Sequence, residues 1–122
     1  MRKKILIVDD SATIHMMVRM VLGKDRYILV TANDGQEAVQ KARIEKPDLV
    51  VMDVVMPRMT GFEACRAMRQ DAATKEIPII LVTTRGEPES VQKGYESGCS
   101  DYVTKPINGL ELLSKVQSCL GE

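Results

Sequence analysis

Two stretches decide how this chain folds: Ile5-Leu6-Ile7-Val8-Asp9-Asp10 and Leu49-Val50-Val51-Met52-Asp53. Each is a short, unbroken apolar run rich in Val, Ile and Leu that stops in acid. Runs of this kind, apolar on successive residues instead of alternating, read as strands covered on both faces. If both strands lie side by side and point the same way, three carboxylates meet at one edge of a sheet. Like charges a few ångströms apart resist ionising together, so such a cluster raises its own pKa values or recruits a cation.

Outward from these two runs, strands are predicted at Lys4–Val8, Tyr27–Thr31, Leu49–Met52, Ile77–Val82 and Tyr102–Val103, with helices between them. Ser11 caps a helix whose Ile14, Met17, Val18, Val21 and Leu22 share a face, and Gly23 ends it. Asp34 caps a second helix carrying Ala38 and Ala42, which stops before Pro47. Thr60 or Gly61 opens a third, with Phe62, Cys65 and Met68 at helical spacing. Pro88 suits the first turn of a fourth, with Val91 and Tyr95 inward and Gly98 as its stop. Asn108 opens a fifth along Leu112, Leu113, Val116 and Leu120. Gly35, Gly61 and Gly98 read as turn or capping glycines.

Strands alternating with helices through short connections imply a parallel sheet with helices on both faces, because each crossover is right-handed. The expected fold is α/β, a doubly wound, flavodoxin-like (βα)5 unit. For five strands the order 2-1-3-4-5 is taken over from the known fold of this kind, and it makes strands one and three neighbours at the switch point where ligands bind.

At 122 residues the chain suits one domain, 1–122, with a single core. Seventeen Lys plus Arg balance seventeen Asp plus Glu without a basic stripe, which argues against nucleic acid or an anionic membrane as partner. Cys65, Cys99 and Cys119 are odd in number and lack metal-ligand spacing, so neither a disulfide framework nor a zinc site is expected. Arg2-Lys3-Lys4 is followed by only four apolar residues, too few for a signal peptide or a membrane span. A cytoplasmic protein is expected.

Thr83, just past Ile79-Ile80-Leu81-Val82, and Lys105, just past the fifth strand, join Asp9, Asp10 and Asp53 at the same edge. Carboxylates suit Mg²⁺, which favours one or two protein carboxylates plus phosphate oxygens. A hydroxyl and an ammonium beside them fit phosphoryl transfer, where catalysis is mainly in-line positioning and charge neutralisation. One carboxylate can itself be the nucleophile and form an aspartyl phosphate. Each residue alone has an ordinary reading as a strand-end acid, hydroxyl or surface lysine; the set carries the weight.

With these residues in view, the chain resembles the receiver domain of bacterial two-component response regulators, of the single-domain, CheY-like kind. The likeness runs through Ile5–Asp10, Ala32–Ala38, Pro47–Asp53, Met56-Pro57 to Gly61, Thr83-Thr84 and Tyr102–Pro106, nearly the whole chain in order. It implies that Asp53 accepts a phosphoryl group from a histidine kinase's phosphohistidine. It implies that Asp10 binds Mg²⁺ directly, Asp9 mainly through water, and Asp53 and the Val55 carbonyl complete the protein's share. Thr83 would hydrogen-bond the phosphoryl group, Lys105 would pair with its charge, and Lys105-Pro106 would be cis. Tyr102 would be the second switch residue, moving inward as Thr83 shifts.

The resemblance also implies partners: a sensor histidine kinase or histidine phosphotransfer protein, and an effector bound through the fourth helix, fifth strand and fifth helix. The chain would be a monomer or a weak, phosphorylation-dependent dimer. A relay intermediate that hands the phosphoryl group to a histidine phosphotransfer protein is the alternative. A small aspartyl-phosphate phosphatase fits less well, since Ser11 and Val55 stand where its general acid belongs. A flavin carrier lacks the hydroxyl-rich loop and aromatics it needs.

Val55 and Arg85 stand where fast-hydrolysing relatives carry water-orienting groups, so slow loss of the phosphoryl group is expected. Met16 and Met20 fall beside the core stripe of the first helix with His15 and Arg19. Peripheral core is their ordinary reading, and a kinase-docking surface near the acids is the functional one. His15 is expected to be an exposed helix residue, and the cysteines small hydrophobes.

Overall fold

The run that begins at Lys4 forms β1 (Lys4–Val8), with its last four residues buried. The remaining elements of this computed structural model, which describes residues 2–23, 25–84 and 88–122, alternate strand and helix to the end. They are α1 (Ala12–Leu22), β2 (Ile28–Ala32), α2 (Gly35–Glu45), β3 (Leu49–Asp53), α3 (Gly61–Arg69), β4 (Ile79–Thr83), α4 (Pro88–Ser97), β5 (Asp101–Thr104) and α5 (Gly109–Leu120). All pairings are parallel and the order is β2-β1-β3-β4-β5.

Side chains on a strand alternate between faces, and the two cores follow that parity. Leu6, Val8, Val50, Met52, Ile79 and Leu81 pack under Ala38, Ala42, Ala64, Cys65 and Met68 of α2 and α3. Ile5, Ile7, Leu49, Val51, Ile80 and Val82 pack under Val18, Leu22, Leu112, Val116 and Leu120 of α1 and α5. Central β3 and β4 are buried at every residue, whereas β2 and β5 are half-buried because each borders only one strand.

The helix starts follow from side-chain caps that satisfy free amide groups of the first turn. Ser11 accepts from Ile14 N, Asp34 from Glu37 N and Asn108 from Glu111 N. Thr60 and Glu63 form a reciprocal capping box at α3. α1 ends at Gly23 with φ +79°.

Some boundaries and facings differ from expectation. Tyr27 precedes β2; its ring is buried and its hydroxyl donates to Glu122 Oε1 at 2.8 Å. β4 starts at Ile79, after Pro78, which has no amide hydrogen to give to the ladder. β5 is longer at both ends than the predicted pair. In α4, Tyr95 is exposed at 46%, and Gly94 and Ser97 face inward instead, Gly94 lying against Cys99 and Leu81. The Ser97 hydroxyl donates to Gly94 O at 2.6 Å, which satisfies it within the protein.

Lys3 and the end of α5 meet at the amino edge of the sheet. Lys3 Nζ donates to Leu120 O at 2.7 Å, next to the start of β1. No helix among the described residues is long and apolar enough to cross a membrane.

Candidate functional site

Register builds the site. Val8 pairs with Met52, so Asp9 and Asp53 follow in step on adjacent strands and, by parity, point the same way. Asp53 pairs with Val82 and Thr83 with Thr104, which carries Thr83 and then Lys105 to the same edge. Lys105 N donates to Thr83 O at 2.7 Å, tying the two strand ends together, and the Lys105–Pro106 peptide bond is cis.

The three acids do converge. Asp9, Asp10 and Asp53 each offer a carboxylate oxygen within 4.8 Å of the others. Asp9 and Asp53 are buried, at 2% and 4% exposure, and Asp10 is exposed at the mouth. Asp9 Oδ1 accepts from Ser11 N at 2.9 Å, so the start of α1 orients it. Lys105 Nζ lies 3.4 Å from both Asp9 Oδ2 and Asp53 Oδ1.

Asp53 Oδ1 is buried and has no hydrogen-bond partner among the described residues; the lysine is close enough to attract it but not aligned to donate. Burial is the main cause that raises the Asp53 carboxyl above its ordinary range, and the neighbouring Asp9 charge adds to it; Lys105 pulls the other way. The donor set is all hard oxygen, two of its carboxylates are buried, and one oxygen is unsatisfied. That composition suits a small divalent cation with room left for further oxygens.

Thr83 is buried at the end of β4. Tyr102 is half-buried on β5, edge-on to Tyr95 with ring centroids 5.9 Å apart. Lys115 Nζ sits 4.8 Å over the Tyr102 ring and donates to Tyr102 O at 2.6 Å. It also pairs with Asp101 at 3.5 Å. This cation and aromatic arrangement on the face of α4, β5 and α5 was not legible from strand periodicity.

Val55 follows β3 and is 67% exposed. Arg85 lies outside the described residues. Met16 and Met20 are not peripheral core: they are exposed at 64% and 79% and line, with Arg19, Gly23 and Asp25, a groove of about 470 Å³. The groove follows α1 from Met16, about one turn from the helix start, to Gly23. His15 is half-buried, not exposed, and its Nε2 is buried without a hydrogen-bond partner among the described residues. Burial pushes the Cys65 and Cys119 thiols up, and the Cys99 thiol up to about 11, which keeps them protonated.

Gly35 and Gly61 do more than turn the chain. A Cβ at Gly35 would lie 2.5 Å from Met59 O, and one at Gly61 would collide with Asp53 O. α3 thus starts hard against the backbone of Asp53. Arg58, unremarked in the sequence, forms an ion pair with Asp34 across 24 residues of chain.

The comparisons with known proteins agree with this architecture. Protein PilH of Pseudomonas aeruginosa is 41% identical over 117 residues, covering 96% of this chain and 97% of its own. Several transcriptional regulators match as well, and the chain spans about half their length. Chemotaxis response regulator CheY4 of Vibrio cholerae has a solved structure that superposes with TM-score 0.91 at 40% identity, covering 98% of this chain and all of that one. The receiver domain of sensor histidine kinase PA1611 from Pseudomonas aeruginosa superposes with TM-score 0.90 at 26% identity over the full length of both chains, and was solved with a magnesium ion coordinated in its active-site cleft. The response regulator receiver domain model matches residues 5–117, and with that match across the fold and its acid edge, the chain belongs to the response regulator receiver domain family.

Proposed function

We propose that this chain is a phosphoacceptor: Asp53 takes a phosphoryl group from the phosphohistidine of a histidine kinase or phosphotransfer protein. The observation that carries the reading is the state of Asp53. It is buried at the end of a central strand, with Oδ1 unsatisfied, Lys105 3.4 Å away and two further carboxylates in the cluster.

A purely structural carboxylate would have its oxygens satisfied by hydrogen bonds. An unsatisfied one beside a cation is instead open to attack an electrophile. In the transfer a carboxylate oxygen of Asp53 forms the new bond to phosphorus as the bond from phosphorus to the histidine nitrogen breaks. Lys105 stabilises the negative charge on the phosphoryl oxygens, and the Thr83 hydroxyl donates to one of them once transfer is complete. Asp9, Asp10, Asp53 and the Val55 carbonyl would hold Mg²⁺, which when bound neutralises charge on the transferring group.

The product changes charge and hydrogen bonding at Thr83, next to Tyr102. Tyr102 then moves inward, and the face of α4, β5 and α5 is read by a separate effector protein. A local charge change biases a two-state side chain.

Incubation with acetyl phosphate and Mg²⁺, followed by intact-mass measurement, tests the chemistry. The wild type should gain one phosphoryl group, and neither Asp53→Asn nor the wild type in chelator should. Equal labelling of Asp53→Asn would overturn the assignment.

A further inference from the structure

Two described residues other than glycine have positive φ, Lys46 at +49° and Arg58 at +70°. Lys46 is the left-handed cap that ends α2. No helix end explains Arg58. Met59 N donates to Pro57 O at 2.8 Å, two residues back, so Arg58 is the centre of a γ-turn of the positive-φ form. That form is rare and strained, and such strain persists only where the surroundings hold it.

Two contacts hold it against α2. Arg58 Nη1 donates to Asp34 Oδ2 at 3.1 Å. Asp34 is itself fixed, since it is 8% exposed and its Oδ1 caps α2 through Glu37 N at 2.8 Å. One residue along, Gly35 allows the backbone of Met59 to lie against the start of the helix. The segment is also closed at its base, where Gly61 N donates to Val54 O at 2.9 Å. Residues 54–60 are therefore pinned at both ends and in the middle.

This segment carries the Val55 carbonyl, three residues from Arg58. We propose that Arg58 and Asp34 are a positioning pair that holds the loop following Asp53 in the shape the Mg²⁺ site requires; this rests on the reading of the acid cluster as that site. The Arg58 side chain is 72% exposed, and ion pairs to so exposed a partner add little to global stability. The effect of the pair thus belongs in the geometry of the loop, and it appears in cation affinity.

Calorimetric titration of the full chain with Mg²⁺, and phosphorylation by acetyl phosphate across Mg²⁺ concentrations, test the proposal. Arg58→Ala and Asp34→Asn, the latter keeping a good helix cap, should each weaken Mg²⁺ binding about tenfold, the low end of the effect of outer-shell partners. The double variant should be no weaker than the worse single one, because the two residues act as a unit. Arg58→Lys should recover part of the loss, and the phosphorylation rate at saturating Mg²⁺ should be unchanged in all. Unaltered Mg²⁺ affinity in both single variants, losses that add in the double, or losses that only track a fall in Tm would overturn the inference while leaving the proposed function intact. Absence of Mg²⁺ binding by the wild type would overturn the reading of the site and this inference with it.

Discussion

Lys105 holds its ammonium 3.4 Å from Asp53 Oδ1 without donating a hydrogen bond to it. Held equally close to Asp9, it occupies a position from which it both neutralises the acids and competes with any second cation. Lys105→Met should therefore move two quantities in opposite directions. Mg²⁺ binding should tighten as cationic repulsion is removed, while phosphorylation by acetyl phosphate should slow about 100-fold as the developing charge loses its partner. Calorimetry and intact-mass time courses check the two sides.

Asp53 sets a pH dependence of stability. Its carboxyl is raised above the ordinary 3.8, first by burial and then by Asp9, so the folded state binds more protons than the unfolded one in the window from 3.8 up to the raised value. Stability must fall as pH climbs through that window and stay lower above it. Asp53→Asn should remove this fall and raise Tm at neutral pH relative to the wild type. Thermal melts of both proteins from acid to neutral pH, without divalent cation, measure the difference.

Val55 presents an aliphatic side chain that cannot orient water beside Asp53. Loss of the phosphoryl group should be slow in the wild type, and Val55→Asn should speed it roughly tenfold by supplying a positioned polar group. Decay within seconds in the wild type, followed by phosphate release, would count against this.

Met16 and Met20 offer flexible apolar surface on α1. Replacing both with Lys should slow transfer from a cognate kinase about tenfold, as expected where exposed anchors are lost from an interface. Labelling by acetyl phosphate should be unaffected. Equal slowing in both assays would remove the docking role.

Tyr102 is held from two directions by Lys115, over its ring and at its carbonyl. Lys115→Ala should favour inward Tyr102 before phosphorylation, by the roughly 0.5–1 kcal/mol of an exposed cation–π contact. Thr83→Ala should accept the phosphoryl group but leave Tyr102 outward. The ring resonances of Tyr102, with and without phosphorylation, report both.

How much of this was legible in the sequence depended on whether the signal was periodic. The buried runs at Ile5, Leu49 and Ile79 are apolar on both faces, and that pattern marked them as strands, while their alternation with helices gave the parallel arrangement; the convergence of the acids needed the strand order as well. The order of the strands was taken over from the known fold of this kind. Tyr95 was misjudged because Ser97 satisfies its hydroxyl on Gly94 and so enters the core, which turns the tyrosine outward. His15 was taken as exposed because helical position alone does not reveal how much of a ring its neighbours cover.

Other features were invisible for a different reason. Asp34 was legible as a helix cap, yet its second oxygen meets Arg58 through a backbone shape that no periodicity encodes. Gly35 and Gly61 looked like turn residues, whereas the structure uses them for close backbone approach. Composition signals a glycine's freedom but not the neighbour that needs the room.

The meeting of Lys3 with Leu120, and of Tyr27 with Glu122, has a practical reading. Lys3 and the end of α5 lie at the amino edge of a sheet whose acids lie at the other, separated by a five-residue strand of about 16 Å. A dye, surface tether or fused reporter attached beside Lys3 or Glu122 would hang on the far side from Asp53. The molecule comes with handles that leave its acid edge facing free solution.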